Sequence, residues 1–163
     1  MILHPTKTVA GRQATFNASQ TGLALTLTHI SIGDSGGPID DRRTSLRHER
    51  ERVAVYGQRV NDSQIRLDAV FAGPESFWVR EVGIWAGNTL VYYWSTEGAE
   101  LGHKSPQFEW LLGLDLALDE AVDGQLQVTS QAPNLDLHLS SHLAVVLRAL
   151  CDTNRLVLQP YAS

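Results

Sequence analysis

The clearest pattern in the chain runs from Phe108 to Leu118. Phe108, Trp110, Leu112, Leu114, Leu116 and Leu118 occupy every second position, with Glu109, Gly113 and Asp115 between them. A period of two puts one set on one face of a strand, so the spacing predicts a half-buried β-strand. Ile65, Leu67, Ala69 and Phe71 alternate with Arg66, Asp68 and Val70 in the same way, after an Asn61-Asp62 turn and before a Gly73-Pro74 break. Residues 77–85 and 90–95 read as two strands joined at Ala86-Gly87-Asn88. In residues 25–32, Leu25 and Leu27 take one phase while Ile30 and Ile32 take the other, which predicts a strand with a bulge near Thr28. Residues 53–56 and 125–129 are further strands, the second after an Asp123-Gly124 turn, and residues 44–51 read equally as a helical turn or an extended edge.

Two segments break this pattern. Residues 6–20 predict a short, weak helix stopped by Gly22. Near the other end Leu139, Leu143, Val146 and Leu150 follow a 4-3-4 spacing, which places them on one helical stripe. The expected fold is therefore α+β: mainly antiparallel sheet or sandwich, with a short N-terminal helix and a C-terminal helix. Residues 1–133 form the expected main domain, and residues 134–163 an expected C-terminal helix and tail.

Composition narrows the function. In 163 residues, 13 Lys and Arg against 18 Asp and Glu give a net charge of −5, which argues against a phosphate-binding surface and so against a nucleic-acid partner. Residues 42–52 interleave arginines with Glu49 and Glu51, the pattern of a solvated face. The single cysteine, Cys151, forms no intramolecular disulfide and excludes Cys-rich zinc modules. Met1-Ile2-Leu3-His4-Pro5 lacks the features of a signal peptide, and Glu109, Asp115 and Asp119 interrupt the best apolar run, so no membrane span is expected. Synthesis and folding in cytosol follow as the expectation.

One string invites a catalytic reading. Gly33-Asp34-Ser35-Gly36-Gly37-Pro38 matches the hexapeptide around the nucleophile of chymotrypsin-like serine proteases. In that family the His and Asp of the triad precede the serine, yet no Asp or Glu precedes Asp34 here. His4 and His29 lie upstream but leave no room for the double-barrel scaffold. The string is read as a Gly-rich loop after a strand, and Ser35 as no nucleophile. His138 and His142 sit four apart with no intervening Glu and no third ligand, so they are read as surface histidines rather than a metal site. Asp115, Asp119, Glu120 and Asp123 lack the spacing of a calcium loop, and no phosphate-cradling glycine motif exists, so no cofactor is expected.

Two blocks together carry a resemblance. The first is Leu25-Thr26-Leu27-Thr28-His29-Ile30-Ser31-Ile32-Gly33-Asp34, preceded by Ala10-Gly11 and the weak helix. The second is Phe77-Trp78-Val79-Arg80-Glu81-Val82-Gly83-Ile84-Trp85, followed by a turn and Leu90-Val91. Their order and separation resemble the N-terminal domain of phage tail-collar fibre proteins, the end by which a contractile-tail fibre joins the baseplate. Thr44-Ser45-Leu46 and Glu49-Arg50-Glu51-Arg52 fit that pattern, and the likeness covers roughly residues 8 to 130. It implies a non-enzymatic structural protein of a virion tail, made in host cytoplasm. Its implied partners are a baseplate protein and a tail-fibre or receptor-binding chain, and its implied state is a homotrimer. Residues 134–163 become a segment for oligomerisation or fibre docking, the Leu139, Leu143, Val146, Leu150 stripe being either a three-helix seam or a face packed on the chain's own sheet. A shaft and tip are missing from the pattern, which points to a fibre head, hub or adaptor. The alternatives are a fibre-assembly chaperone, a serine hydrolase using Ser35, and a carbohydrate-binding module using Trp78, Trp85, Trp94 and Trp110.

The second block supplies the candidate assembly residues Trp78, Arg80, Glu81 and Trp85. Arg80 and Glu81 are neighbours on a predicted strand and leave opposite faces, so one of them is expected to be buried or at an interface, held by a partner charge. Gly83 suggests a close backbone approach. Trp78 and Trp85 are large amphipathic surfaces suited to interface anchors.

Overall fold

The computed structural model describes residues 3–61, 63–118 and 126–128. All of them lie in the first of the two units into which the chain divides, Met1–Ser130 and Gln131–Ser163. The expected C-terminal helix, its Leu139, Leu143, Val146 and Leu150 seam, His138, His142 and Cys151 lie outside the described residues.

The described part is mainly antiparallel β-sheet with one short helix, in the order β1 (Thr6–Lys7), α1 (Val9–Thr21), β2 (Leu25–Leu27), β3 (His29–Gly33), β4 (Glu49–Ala54), β5 (Tyr56–Asn61), β6 (Gln64–Phe71), β7 (Phe77–Val79), β8 (Glu81–Ala86), β9 (Thr89–Ser95), β10 (Gly102–Lys104), β11 (Trp110–Ala117) and β12 (Leu126–Val128). A five-stranded sheet runs β1-β9-β8-β3-β4 and a three-stranded sheet β11-β6-β5. Two ribbons, β10-β7 and β12-β2, complete it, the second of them parallel.

The three-stranded sheet follows the alternation of its sequence. Leu112 lies opposite Ala69, Leu114 opposite Leu67 and Leu116 opposite Ile65, and all six are buried. Phe108 departs from the expectation. The alternation begins at Trp110, where β11 starts, and Phe108 lies before it with 76% of its surface exposed.

Strands β8 and β9 of the five-stranded sheet are buried on both faces, which explains why they read as nearly continuous apolar runs. On one face Ile30, Ile32, Val82, Ile84, Tyr92 and Trp94 join Ile65, Leu67, Phe71, Leu114 and Leu116 in the main core. Each such side chain contributes roughly 1.5–3 kcal/mol when fully buried. On the other face Trp85, Leu90 and Tyr93 form a second cluster with Leu46, a residue of the segment between β3 and β4. That irregular segment therefore serves as a lid on half of the sheet.

Helix α1 is set by its ends. The Thr8 hydroxyl accepts from the Gly11 amide (2.9 Å) and donates to the Leu90 carbonyl. Gly22, the expected stop, closes the helix in the left-handed region at φ 68°. The helix buries Gly11, Thr15 and Ala18, small residues at 4-3 spacing, which allow a close approach to β9.

Candidate functional site

The second sequence block does not form one strand. It breaks at Arg80, and its halves enter different sheets: β7 pairs with β10, whereas β8 lies between β3 and β9. The two sides of the break have opposite fates.

Glu81 is fully buried at the start of β8. Its carboxylate accepts from the backbone amides of Arg47 (2.9 Å) and His48 (2.7 Å) and from the Tyr93 hydroxyl (3.1 Å). Two backbone amides, rather than the expected partner charge, supply most of its hydrogen bonds. The Arg47 guanidinium completes the cluster indirectly. It donates to the Tyr93 hydroxyl, to Ser95 Oγ (3.3 Å) and to the Pro38 carbonyl (2.6 Å). Burial of the Tyr93 hydroxyl, reinforced by the Glu81 charge, raises its pKa above the ordinary 10.0.

The protease-like hexapeptide lies against this cluster. The Gly37 amide donates to Ser95 Oγ (3.1 Å), and a side-chain carbon on Gly37 would lie 2.8 Å from the Arg47 guanidinium. One on Gly36 would collide with the Thr96 carbonyl. The glycines are thus explained by close packing. Asp34 bonds His48 Nδ1 (2.6 Å) and Arg50 (3.4 Å), and Arg50 continues to Glu75 (3.0 Å). The Asp34–His48 pair has the form of a base with its orienting acid, but no hydrogen bond joins the Ser35 hydroxyl to His48.

A second buried charge was not anticipated from the sequence. Lys104, on β10, is 0% exposed. Its ammonium donates to the carbonyls of Gly73 and Glu75 (3.2 Å for the latter) and pairs with Glu51 (3.3 Å), whose other oxygen accepts from the Gly73 amide (2.9 Å). The only sequence signal was a lysine following the short Leu101-Gly102-His103 run, which carries no alternation to place it. Strand β4 and the residues before it link both centres, because Arg47 and His48 reach Glu81, Arg50 reaches Asp34 and Glu75, and Glu51 reaches Lys104.

The four predicted assembly residues in this region therefore separate. Trp85 is buried; its Nε1 donates to Ser31 Oγ (2.7 Å) and the Arg52 guanidinium lies 3.6 Å from its ring centroid, so it faces no partner. Glu81 is equally internal. Arg80 is half-exposed and pairs with Glu100 (2.9 Å), with its Nε buried and unpartnered. Trp78 is 52% exposed and lies opposite His103, their ring centroids 4.8 Å apart. Gly83 permits the expected close approach, since a side chain there would strike Leu46 and lie 2.9 Å from Leu90. Of the four tryptophans, Trp85 and Trp94 belong to the interior and Trp110 packs on Phe71, which leaves Trp78 as the one an external ligand could reach readily.

Among the described residues no three potential ligands converge on a metal position, and no helix is long and apolar enough to cross a membrane. Compared with known protein families, with curated proteins and with solved structures, the chain finds no match.

Proposed function

We propose that this chain is a structural attachment module of a contractile, phage-type tail. In this role it acts as a fibre head, hub or adaptor between a baseplate protein and a tail-fibre or receptor-binding chain. The observation that supports this reading is the relation between the two sequence blocks. Although far apart in the chain, they meet as β3 and β8 in direct antiparallel register, Ile30 opposite Ile84 and Ser31 opposite Gly83. The segment between them packs over that pair through Leu46, Arg47 and His48. The residues carrying the resemblance thus form one connected unit, as a shared attachment domain requires. Asp34, which a Ser35 hydrolase would need to orient His48, also pairs with Arg50, and no hydrogen bond joins His48 to the Ser35 hydroxyl.

The test is position and copy number in a particle. Tail particles purified from producing cells should contain the chain by mass spectrometry, and electron cryomicroscopy should locate it where baseplate meets fibre, in threefold sets. Absence from mature particles, with presence in assembly intermediates, would favour the chaperone instead. Labelling by a fluorophosphonate probe that is lost in Ser35→Ala would overturn the structural reading.

A further inference from the structure

Among the described residues three aromatic side chains stand more than half exposed, Phe16, Phe108 and Trp78, and of these only Trp78 has a second ring beside it. It lies on the β7-β10 ribbon. Phe77 and Val79 on either side of it are buried, so strand alternation turns Ser76 and Trp78 outward. The register sets His103, also exposed, directly opposite Trp78, and the two ring centroids are 4.8 Å apart. His103 is steadied in turn by Ser76, whose hydroxyl lies 3.2 Å from Nε2. Two exposed rings are thus held side by side on one outer face of the ribbon.

The polar groups beside these rings define what fits them. Just past the end of β7, two residues beyond Trp78, Arg80 donates from one terminal nitrogen to Glu100 (2.9 Å). Both side chains are part-exposed, and among the described residues this is the only hydrogen bond either of them makes. Donors of Arg80 and acceptor sites of Glu100 therefore remain open to a ligand. Together the pair carries no net charge: Glu100 repels an anion and Arg80 repels a cation. A hydroxyl group both donates and accepts, so it matches this pair better than an ion of either sign. The negative face of an aromatic ring, for its part, attracts weakly polarised C–H groups. A ligand with a face of C–H groups, a rim of hydroxyls and no charge is a pyranose sugar.

We propose that the Trp78–His103 face is a binding site for a neutral saccharide. One pyranose ring stacks on the indole, and its hydroxyls are held by Arg80, Glu100 and the Nδ1 of His103. Trp85, Trp94 and Trp110 take no part, since the first two are interior and the third packs on Phe71. The site goes beyond the attachment reading and does not depend on it, because the isolated chain carries every group it uses.

The experiment applies the full chain to an array of immobilised neutral and acidic glycans. The neutral oligosaccharide retained best is then titrated by saturation-transfer NMR and by tryptophan fluorescence. Glycans ending in neutral hexopyranoses should be retained, and sialylated or uronate glycans should not. Saturation should pass chiefly to C–H protons of the sugar ring, as stacking requires. Trp78→Ala should weaken binding at least about tenfold, as for a central aromatic contact. Glu100→Ala should weaken it about threefold or more, as for one lost hydrogen bond. Trp78→Tyr keeps a flat ring and should bind nearly as well as the parent. Melting temperatures should match the parent, because Trp78 and Glu100 are exposed. If Trp78→Ala melts early, Trp78→Leu against Trp78→Tyr reads the ring itself, with binding lost in the first and kept in the second. No neutral glycan retained, equal retention of acidic glycans, or affinity unchanged in Trp78→Ala would each overturn the saccharide site while leaving the attachment reading standing. A chain absent from tail particles overturns the attachment reading and leaves the saccharide site untouched.

Discussion

Glu81 and Lys104 are both fully buried, yet they are neutralised in different ways, and the difference shows what each stabilises. Lys104 has a direct counter-ion in Glu51 and two backbone carbonyls, so it is one half of a true ion pair. Glu81 has no cation within salt-bridge distance among the described residues and is held by two amides and a phenol. One centre depends on charge meeting charge. The other depends on donors arranged by a loop.

The largest effect should therefore come from Lys104→Met. It leaves the Glu51 carboxylate with its cation gone and two inward carbonyls without a donor, a loss of roughly 3–5 kcal/mol. Glu81→Gln keeps the shape but turns an amide nitrogen toward a backbone donor, at about 1–3 kcal/mol. Urea unfolding of the two variants measures both. If Glu81→Gln costs as much as Lys104→Met, net charge rather than donor geometry governs the Glu81 centre, and the contrast fails.

A smaller effect separates the centres by pH. An unfolded Tyr93 loses its proton near pH 10.0, whereas the folded one keeps it to higher pH because it is buried beside Glu81. Unfolding therefore releases a proton in that window, and stability falls as pH climbs from about 10.0 through the raised folded-state value. Stability measured between pH 9 and 11 should decline less steeply in Tyr93→Phe than in the parent. Parallel curves would mean that Tyr93 does not titrate with unfolding.

Smallest of all should be Arg80→Ala, next in the chain to Glu81. Its pair with Glu100 is part-exposed and screened by solvent, so the cost should stay under about 1 kcal/mol. A thermal shift matching that of Glu81→Gln would show that the break between β7 and β8, and not only Glu81, supports the loop.

The sequence made the strands legible wherever one face meets solvent. Residues 65–71 and the part of β11 from Leu112 onward have the predicted phase, and the change of phase near Thr28 is a real interruption: β2 and β3 are separate strands there, with the Thr28 amide bonded to the Trp85 carbonyl. Legibility failed where both faces are covered. Residues 77–85 read as one strand because no turn residue marks the step from one sheet to another at Arg80, and Trp85 passed for a surface anchor because the apolar run of β8 hides that both its faces are covered. Arg80 and Glu81 do differ in burial, but through the break at Arg80 rather than through the alternation of one strand that the sequence suggested, and Glu81's partners were hidden because backbone amides leave no trace in composition. Lys104, the two-residue strand β1 and the parallel pairing of β12 were equally silent; short strands carry too few positions to show a period.

The parallel ribbon has a kinetic consequence. Leu25, Thr26 and Leu27 pair with Leu126, Gln127 and Val128, so the ladder partner of an early strand is made roughly a hundred residues later. A ribosome at about 5–20 residues per second leaves β2 without that partner for several seconds. In that interval its hydrogen-bonding edge and Leu27 are open to any other extended segment. Closing so distant a contact is slow on topological grounds. The β3, β8 and β9 ladder can assemble from residues already synthesised, which makes β2 with β12 the last strand pairing to form among the described residues. A nascent chain arrested before Leu126 should therefore hold most of the five-stranded sheet while β2 stays sensitive to protease.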